Sequence, residues 1–282
     1  MKDIQWYPGH MTKARRMMIE ALKQIDVVVE LLDARAPVAT RNPDFDALFA
    51  QKERVIILNK NDLAEEEASK CWACYFRNQG WQCLPFVSTR SGEKGKALKS
   101  IEVAAAPIVE RTAKKGVKKT VRVMVSGIPN VGKSTFINTL SGAGNTSTGN
   151  RPGVTRGKQW VRLSPYLELL DTPGMLWPKL EDRQEALYLA YIGAIRDAVL
   201  DTEELSISLL SHLQQHWPRA LQSRYKKITP EMNGADLLEA VCCSRGFLQS
   251  GGALDTERAA ATVLEEFRSG KIGRFTLDPC SS

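Results

Sequence analysis

The octapeptide Gly127 to Ser134, GIPNVGKS, fits the pattern GxxxxGK[ST] and lies between an apolar β run and a helical stretch. A glycine-rich turn in that setting aims successive backbone N–H groups at phosphate oxygens, and the helix N-terminus favours negative charge. Lys133 is suited to neutralising β and γ oxygens and the Ser134 hydroxyl to ligating Mg2+. Asn130, Val131, Gly132 and Thr135 complete the contact. Such a loop does not by itself choose between ATP and GTP.

That choice falls to Asn59-Lys60-Asn61-Asp62, the pattern NKxD at the end of another apolar run. The Asp62 carboxylate can accept from the ring N–H and exocyclic amine of guanine, whereas adenine would turn a lone pair toward it. An unpaired carboxylate is costly, so the wrong base is rejected. Asn59 would support the base edge and the loop, and the Lys60 stem would lie along the ring. Ser88 and Thr89, after CLPFVS, could back the base with main-chain N–H groups. Asp171 to Gly174, DTPG, supplies a DxxG: Asp171 would hold Mg2+ through a water, and Gly174 would sense the γ-phosphate by its N–H. The residue that follows is Met175, which cannot orient water.

The elements that position these residues follow from pattern. Short β-branched runs occur at 27–35, 54–62, 83–88, 121–127, 159–163 and 167–174, with helical stretches such as 12–24 and 134–140 between several of them. This alternation predicts an α/β fold with a mostly parallel sheet, the last two runs forming a hairpin. From about Glu181 the pattern is helical only, punctuated by Pro218, Pro230 and Gly251-Gly252. The expected organisation is a GTPase domain over 1–180 and an all-helical domain over 181–282.

Among the usual small GTPases the phosphate loop comes first and NKxD later. Here NKxD and the serine loop precede it, as if the sheet had been cut before its fourth strand and resealed through a connector over 101–120. This circularly permuted order, with WYPGHM, DARAP, GIPNVGKS, RPGVT, DTPGMLWPK and, near the end, GGALDTERAA and GRF, resembles the YlqF/RbgA family of ribosome-assembly GTPases over essentially the whole chain. The resemblance implies a GTP-hydrolysing factor in maturation of the large (50S) ribosomal subunit, binding the particle and its rRNA with GTP and leaving after hydrolysis. The alternative is a nucleotide-gated RNA- or protein-binding module outside the ribosome, with incidental hydrolysis.

The resemblance also bears on single residues. It helps to select Thr155, in RPGVTRG, from several nearby threonines as the one that closes on Mg2+. In related GTPases the residue at Asn130 helps to hold K+; a simple turn role is the other reading. The permutation puts the segment before VVVELL at the nucleotide face, so His10 becomes the candidate for orienting water, against a structural histidine in a Pro-Gly turn. It also carries the DxxG loop directly into the helical domain, so a nucleotide-dependent shift there could reorient that domain.

Charge adds a constraint on partners. Residues 1–180 hold 28 Lys+Arg against 17 Asp+Glu, and residues 181–282 hold 11 against 15. The excess favours an anionic partner for the first part. The stretch RTAKKGVKKTVR, 111–122, reads as an exposed connector or as a nucleic-acid contact. No signal peptide or long apolar run is evident, so the expectation is a cytoplasmic monomer without membrane contact, its six cysteines present as reduced thiols.

Overall fold

The computed structural model describes residues 8–142, 159–171, 182–195 and 201–280, the side chains of residues 8–14, 91, 159 and 171 excepted. It divides into two compact units, Met1–Glu181 with Thr276–Ser282, and Asp182–Phe275.

Among its described residues the first unit has six strands: β1 (Val27–Asp33), β2 (Glu53–Asn59), β3 (Gln82–Pro85), β4 (Val121–Ser126), β5 (Gln159–Ser164) and β6 (Leu167–Asp171). Their order in the sheet is β3-β2-β1-β4-β6-β5. All neighbours are parallel except β5 and β6, which form the expected hairpin. Every residue of β1, VVVELLD, is buried, as a strand covered on both faces requires. On one face Val28, Met124 and Leu170 pack with Met18, Leu22 and Ile25 from α1 (Pro8–Leu22) and its exit, and with Phe45 and Phe49 of α2 (Asp44–Phe49). Leu32, Ile56 and Leu58 on that face meet Trp72, Ala73 and Phe76 of α3 (Glu66–Asn78). Helix α4 (Lys94–Ala113) contacts β1, β2 and β3, and α5 (Lys133–Ser141) contacts β4, β5 and β6. Each fully buried Phe or Leu contributes about 1.5–3 kcal/mol by leaving water.

The fold is α/β with the permuted strand order. From β1 the chain runs outward through β2 to β3, and from β4 it runs the other way to β6 and β5. The sheet therefore reverses direction between β1 and β4, and the crevice at the carboxyl ends of such strands is where α/β sheets bind ligands.

The structure corrects three expectations. Much of the presumed connector 101–120 is helix, because Ala97, Ile101, Ala104, Ala105 and Ile108 recur at helical spacing and are buried. The short stretch between α4 and β4, 114–120, is exposed except for the half-buried Lys119. Second, Cys71 is not a reduced thiol: it forms a disulfide with Cys280, its Cα 6.3 Å away. The partner could not be read from spacing because the chain returns to the first unit only at Thr276. Thr276 Oγ1 accepts from the Glu65 N–H, Leu277 N–H donates to the Arg35 carbonyl, and the Asp278 carboxylate accepts from the N–H groups of Val38 (2.6 Å) and Ala39. Residues 276–280, placed by pattern in the helical domain, thus fold against α3 and the loop after β1.

The second unit holds α6 (Arg183–Tyr191), α7 (Thr202–His216), α8 (Pro218–Arg224), α9 (Ala235–Arg245) and α10 (Thr256–Arg268). Asp182, Asp201 and Asp255 cap α6, α7 and α10 by accepting backbone N–H bonds, each cap being worth about 1 kcal/mol. Leu205, Leu209, Leu213, Val241, Val263 and Phe267 are among the residues that fill the core. Glu266 sits among Arg224, Arg245 and the Tyr225 hydroxyl. Burial alone would raise its carboxyl, but these partners bring it down to about 2.

Candidate functional site

The chemistry-bearing loops leave the carboxyl ends of adjacent strands. NKND begins on the last residue of β2, Ser88-Thr89 follows β3, and the Gly127–Ser134 turn joins β4 to α5. Asp171 ends β6 and is the register partner of Val125, two residues before Gly127. The backbone therefore brings Asn59, Lys60, Asn61, Asp62, Ser88, Thr89, Asp171 and the phosphate-type turn to one edge of the sheet. Thr155 and Gly174 lie outside the described residues. His10 is third in α1, and its side chain is outside the description.

The turn has the backbone of an anion cradle. Asn130 (φ 62) and Gly132 (φ 99) are left-handed, an alternation that turns successive N–H groups inward. A Cβ at Gly132 would stand 2.4 Å from Asn59 Nδ2, and one at Gly127 (φ 152) would stand 2.6 Å from the Leu31 carbonyl oxygen. Only glycine fits at either position. Lys133 is buried at the start of α5 and donates from Nζ to the Ile128 carbonyl at 2.7 Å, which folds its ammonium over the turn. Ser134 and Thr135 follow in the first turn of α5. These features fit a nucleotide phosphate chain, with Ser134 available to the accompanying Mg2+.

Asn59 joins the two loops. Its side-chain amide donates to the Val131 carbonyl at 2.7 Å, and its oxygen accepts from both the N–H (3.1 Å) and the hydroxyl (2.8 Å) of Ser88. The Ser88 N–H, expected to back a base, is thus committed to Asn59. Ser88 supports the loop from behind, and Thr139 Oγ1 of α5 donates to its carbonyl at 2.5 Å. Thr89 is exposed. Lys60 has φ 56, and its ammonium donates to the Asn130 carbonyl at 2.8 Å. Asn61 and Asp62 open the 3-10 turn 61–63, with Asn61 N–H bonded to the Phe86 carbonyl.

Asp33 and Arg35 are site residues to which pattern assigned no role, although DARAP marked their position. Asp33 is fully buried, and Lys60 Nζ lies 3.0 Å from its Oδ2. Arg35 holds the same carboxylate with Nε (2.9 Å) and Nη2 (2.8 Å). Burial alone would raise the Asp33 carboxyl, but the Arg35 and Lys60 charges hold it well below the usual carboxylate range.

A family described as "50S ribosome-binding GTPase" matches residues 122–232, beginning at β4 and leaving the NKND loop ahead of the match. Ribosome biogenesis GTPase A of Priestia megaterium is 42% identical over 281 residues, covering 98% of this chain and 96% of the relative. The protein of that name from Bacillus cereus is 40% identical over 280 residues, covering 98% and 93%. This chain belongs to the ribosome biogenesis GTPase A family. The crystal structure of GNP-bound YlqF from T. maritima superposes with a TM-score of 0.68 at 28% identity, covering 96% of this chain and 99% of that one. Its GDP-bound counterpart gives 0.66 at 29% identity, covering 93% and 97%. The chain is therefore a circularly permuted GTPase of ribosome biogenesis, and among its described residues no helix is long and apolar enough to cross a membrane.

Proposed function

We propose that this GTPase reads guanine with Asn59–Asp62, holds the phosphates with Asn130–Thr135, and acts on the large ribosomal subunit. It joins the maturing particle and its rRNA with GTP bound and leaves after water cleaves GTP to GDP and phosphate. The observation that carries the nucleotide reading is the pair of bonds from Asn59 to Val131 and from Lys60 to Asn130, which hold the base loop against the phosphate turn. Ribosome biogenesis GTPase A relatives and a family described as 50S ribosome-binding support the particle as partner.

Bound Mg2+ would supply positive charge at the phosphate oxygens, with Ser134, Thr155 and Asp171 as its holders, the last through water. Asn130 is the residue we assign to K+. Lys133 and the Gly174 N–H would stabilise charge at the γ-phosphate. His10 is our candidate for orienting the attacking water. Its support is geometric: twelve residues separate His10 from Leu22, a helical rise of about 18 Å, which nearly matches the roughly 20 Å length of β1. Leu22 shares a buried cluster with Val28 near the start of β1, so a helix laid back along that strand would bring its N-terminus toward the strand ends that carry the loops.

The helical unit is proposed as a ribosome contact through local basic groups such as Arg219, Lys226 and Lys227, since its overall balance is acidic. The test is co-sedimentation with immature 50S particles in a non-hydrolysable GTP analogue and in GDP, with turnover measured with and without particles. Retention in the analogue and particle-stimulated turnover are expected. Neither retention nor stimulation would reject the large subunit as partner and leave a nucleotide-gated module acting elsewhere.

A further inference from the structure

Among the described residues only two non-glycines have positive φ, Lys60 (56°) and Asn130 (62°), and one hydrogen bond joins them, from Lys60 Nζ to the Asn130 carbonyl. Left-handed backbone is unfavourable for a side chain such as lysine and persists where surrounding contacts fix it. At Lys60 those contacts converge on the ammonium, which is shared between Asn130 O at 2.8 Å and Asp33 Oδ2 at 3.0 Å.

Asp33 is itself immobilised. It closes β1 opposite Asn59, its N–H donates to Thr40 Oγ1 at 3.1 Å, and its Oδ1 accepts from Arg35 Nε and from the Arg35 N–H. Arg35 Nη2 completes a bidentate pair on Oδ2, and Arg35 is only 2% exposed. A planar guanidinium bound at two points fixes the direction of a carboxylate as well as its distance. The orientation of Asp33 therefore determines where Lys60 can put its charge.

We propose that Asp33, held by Arg35, is a positioning residue for guanine-nucleotide binding: it aims Lys60 so that the base-reading loop and the Asn130 turn move as one body. This rests on the reading that 59–62 receives the base. Asp33 need not touch the nucleotide, since its effect passes through Lys60.

A double-mutant cycle of Asp33→Asn and Lys60→Met in the full chain tests it, read as the dissociation constant for fluorescent GDP, with unfolding followed in parallel. Asp33→Asn is expected to weaken GDP binding about tenfold alone and to add less than about twofold once Lys60 is Met. A general structural role would weaken binding by the same factor in both backgrounds, and that additivity would overturn the proposal. If Asp33→Asn fails to fold because Arg35 is left buried and unpaired, Asp33→Asn with Arg35→Gln replaces it in the same cycle. Asp62→Asn measured alongside separates the two ideas. Unchanged GDP affinity there rejects the base-reading assignment and the proposal with it. Lost affinity there, with additivity in the cycle, rejects the proposal alone.

Discussion

Replacing Asn59 by Ala should separate the base loop from the phosphate turn, and the cost can be worked from the contacts. Asn59 is 1% exposed and makes three hydrogen bonds, one to the Val131 carbonyl and two from Ser88. A lost bond of this kind is worth about 1 kcal/mol net, and a buried group stranded without water costs about 1–3 kcal/mol. The Val131 carbonyl and the Ser88 N–H would both be stranded, so the total falls at about 2–6 kcal/mol. Part of it will appear as lower stability of the first unit. The rest will appear in nucleotide affinity, because Gly132 lies directly against the Asn59 amide and the vacated space would open beneath the turn. Assigning about 2 kcal/mol to binding gives a roughly 30-fold weaker GDP complex. Titration with a fluorescent GDP, together with thermal unfolding of the nucleotide-free protein, measures both parts. A melting temperature that falls while affinity stays within about threefold of wild type would refute the claim that Asn59 couples the two loops.

The helical unit should lose stability in mild acid through His212, whose imidazole lies 5.4 Å from Tyr188 and 4.6 Å from His216, ring to ring. Burial, then the His216 charge, depress it from 6.5 to about 4, so its contribution is complete above pH 6.5 and is lost as pH falls from 6.5 toward 4. The full effect would be about 3 kcal/mol, reduced to about 1–2 kcal/mol by partial exposure. Denaturation at pH 7 and pH 5 should show it, and an equal loss in His212→Phe would remove His212 as the cause. Cys280→Ser should lower the melting temperature under oxidising conditions, because the bond closes a loop of 209 residues, for which chain entropy sets a ceiling of about 5 kcal/mol. Identical melting of the variant and wild type, both without reductant, would contradict that contribution.

The sheet and the loops at its edge were legible because each depends on local pattern. The β-branched runs at 27–35, 54–62 and 121–127 each gave a strand, and SPY between two short runs gave the hairpin. Helix α4 was hidden because Gly95 and Pro107 interrupt its pattern, while its buried stripe of alanines and isoleucines gives a weak apolar signal. The anchoring of residues 276–280 was not legible at all. Its determinants, Thr276 on Glu65 and Asp278 on Val38 and Ala39, are single contacts across more than two hundred residues. The site showed the same division. NKND and GIPNVGKS are contiguous, so their chemistry was readable, but the use of the Ser88 N–H by Asn59 and the clamp of Asp33 on Lys60 exist only once three strand ends are adjacent.

Base selection by a loop that precedes the phosphate turn in sequence is probed at its carboxylate by Asp62→Asn. Calorimetric titration of the wild type and the variant with GDP and with xanthosine diphosphate reads the outcome, since xanthine presents a carbonyl where guanine presents its amine. The wild type is expected to prefer GDP, and the variant to lose GDP affinity by at least about tenfold while gaining xanthosine diphosphate. Equal GDP affinity in the two proteins would contradict it.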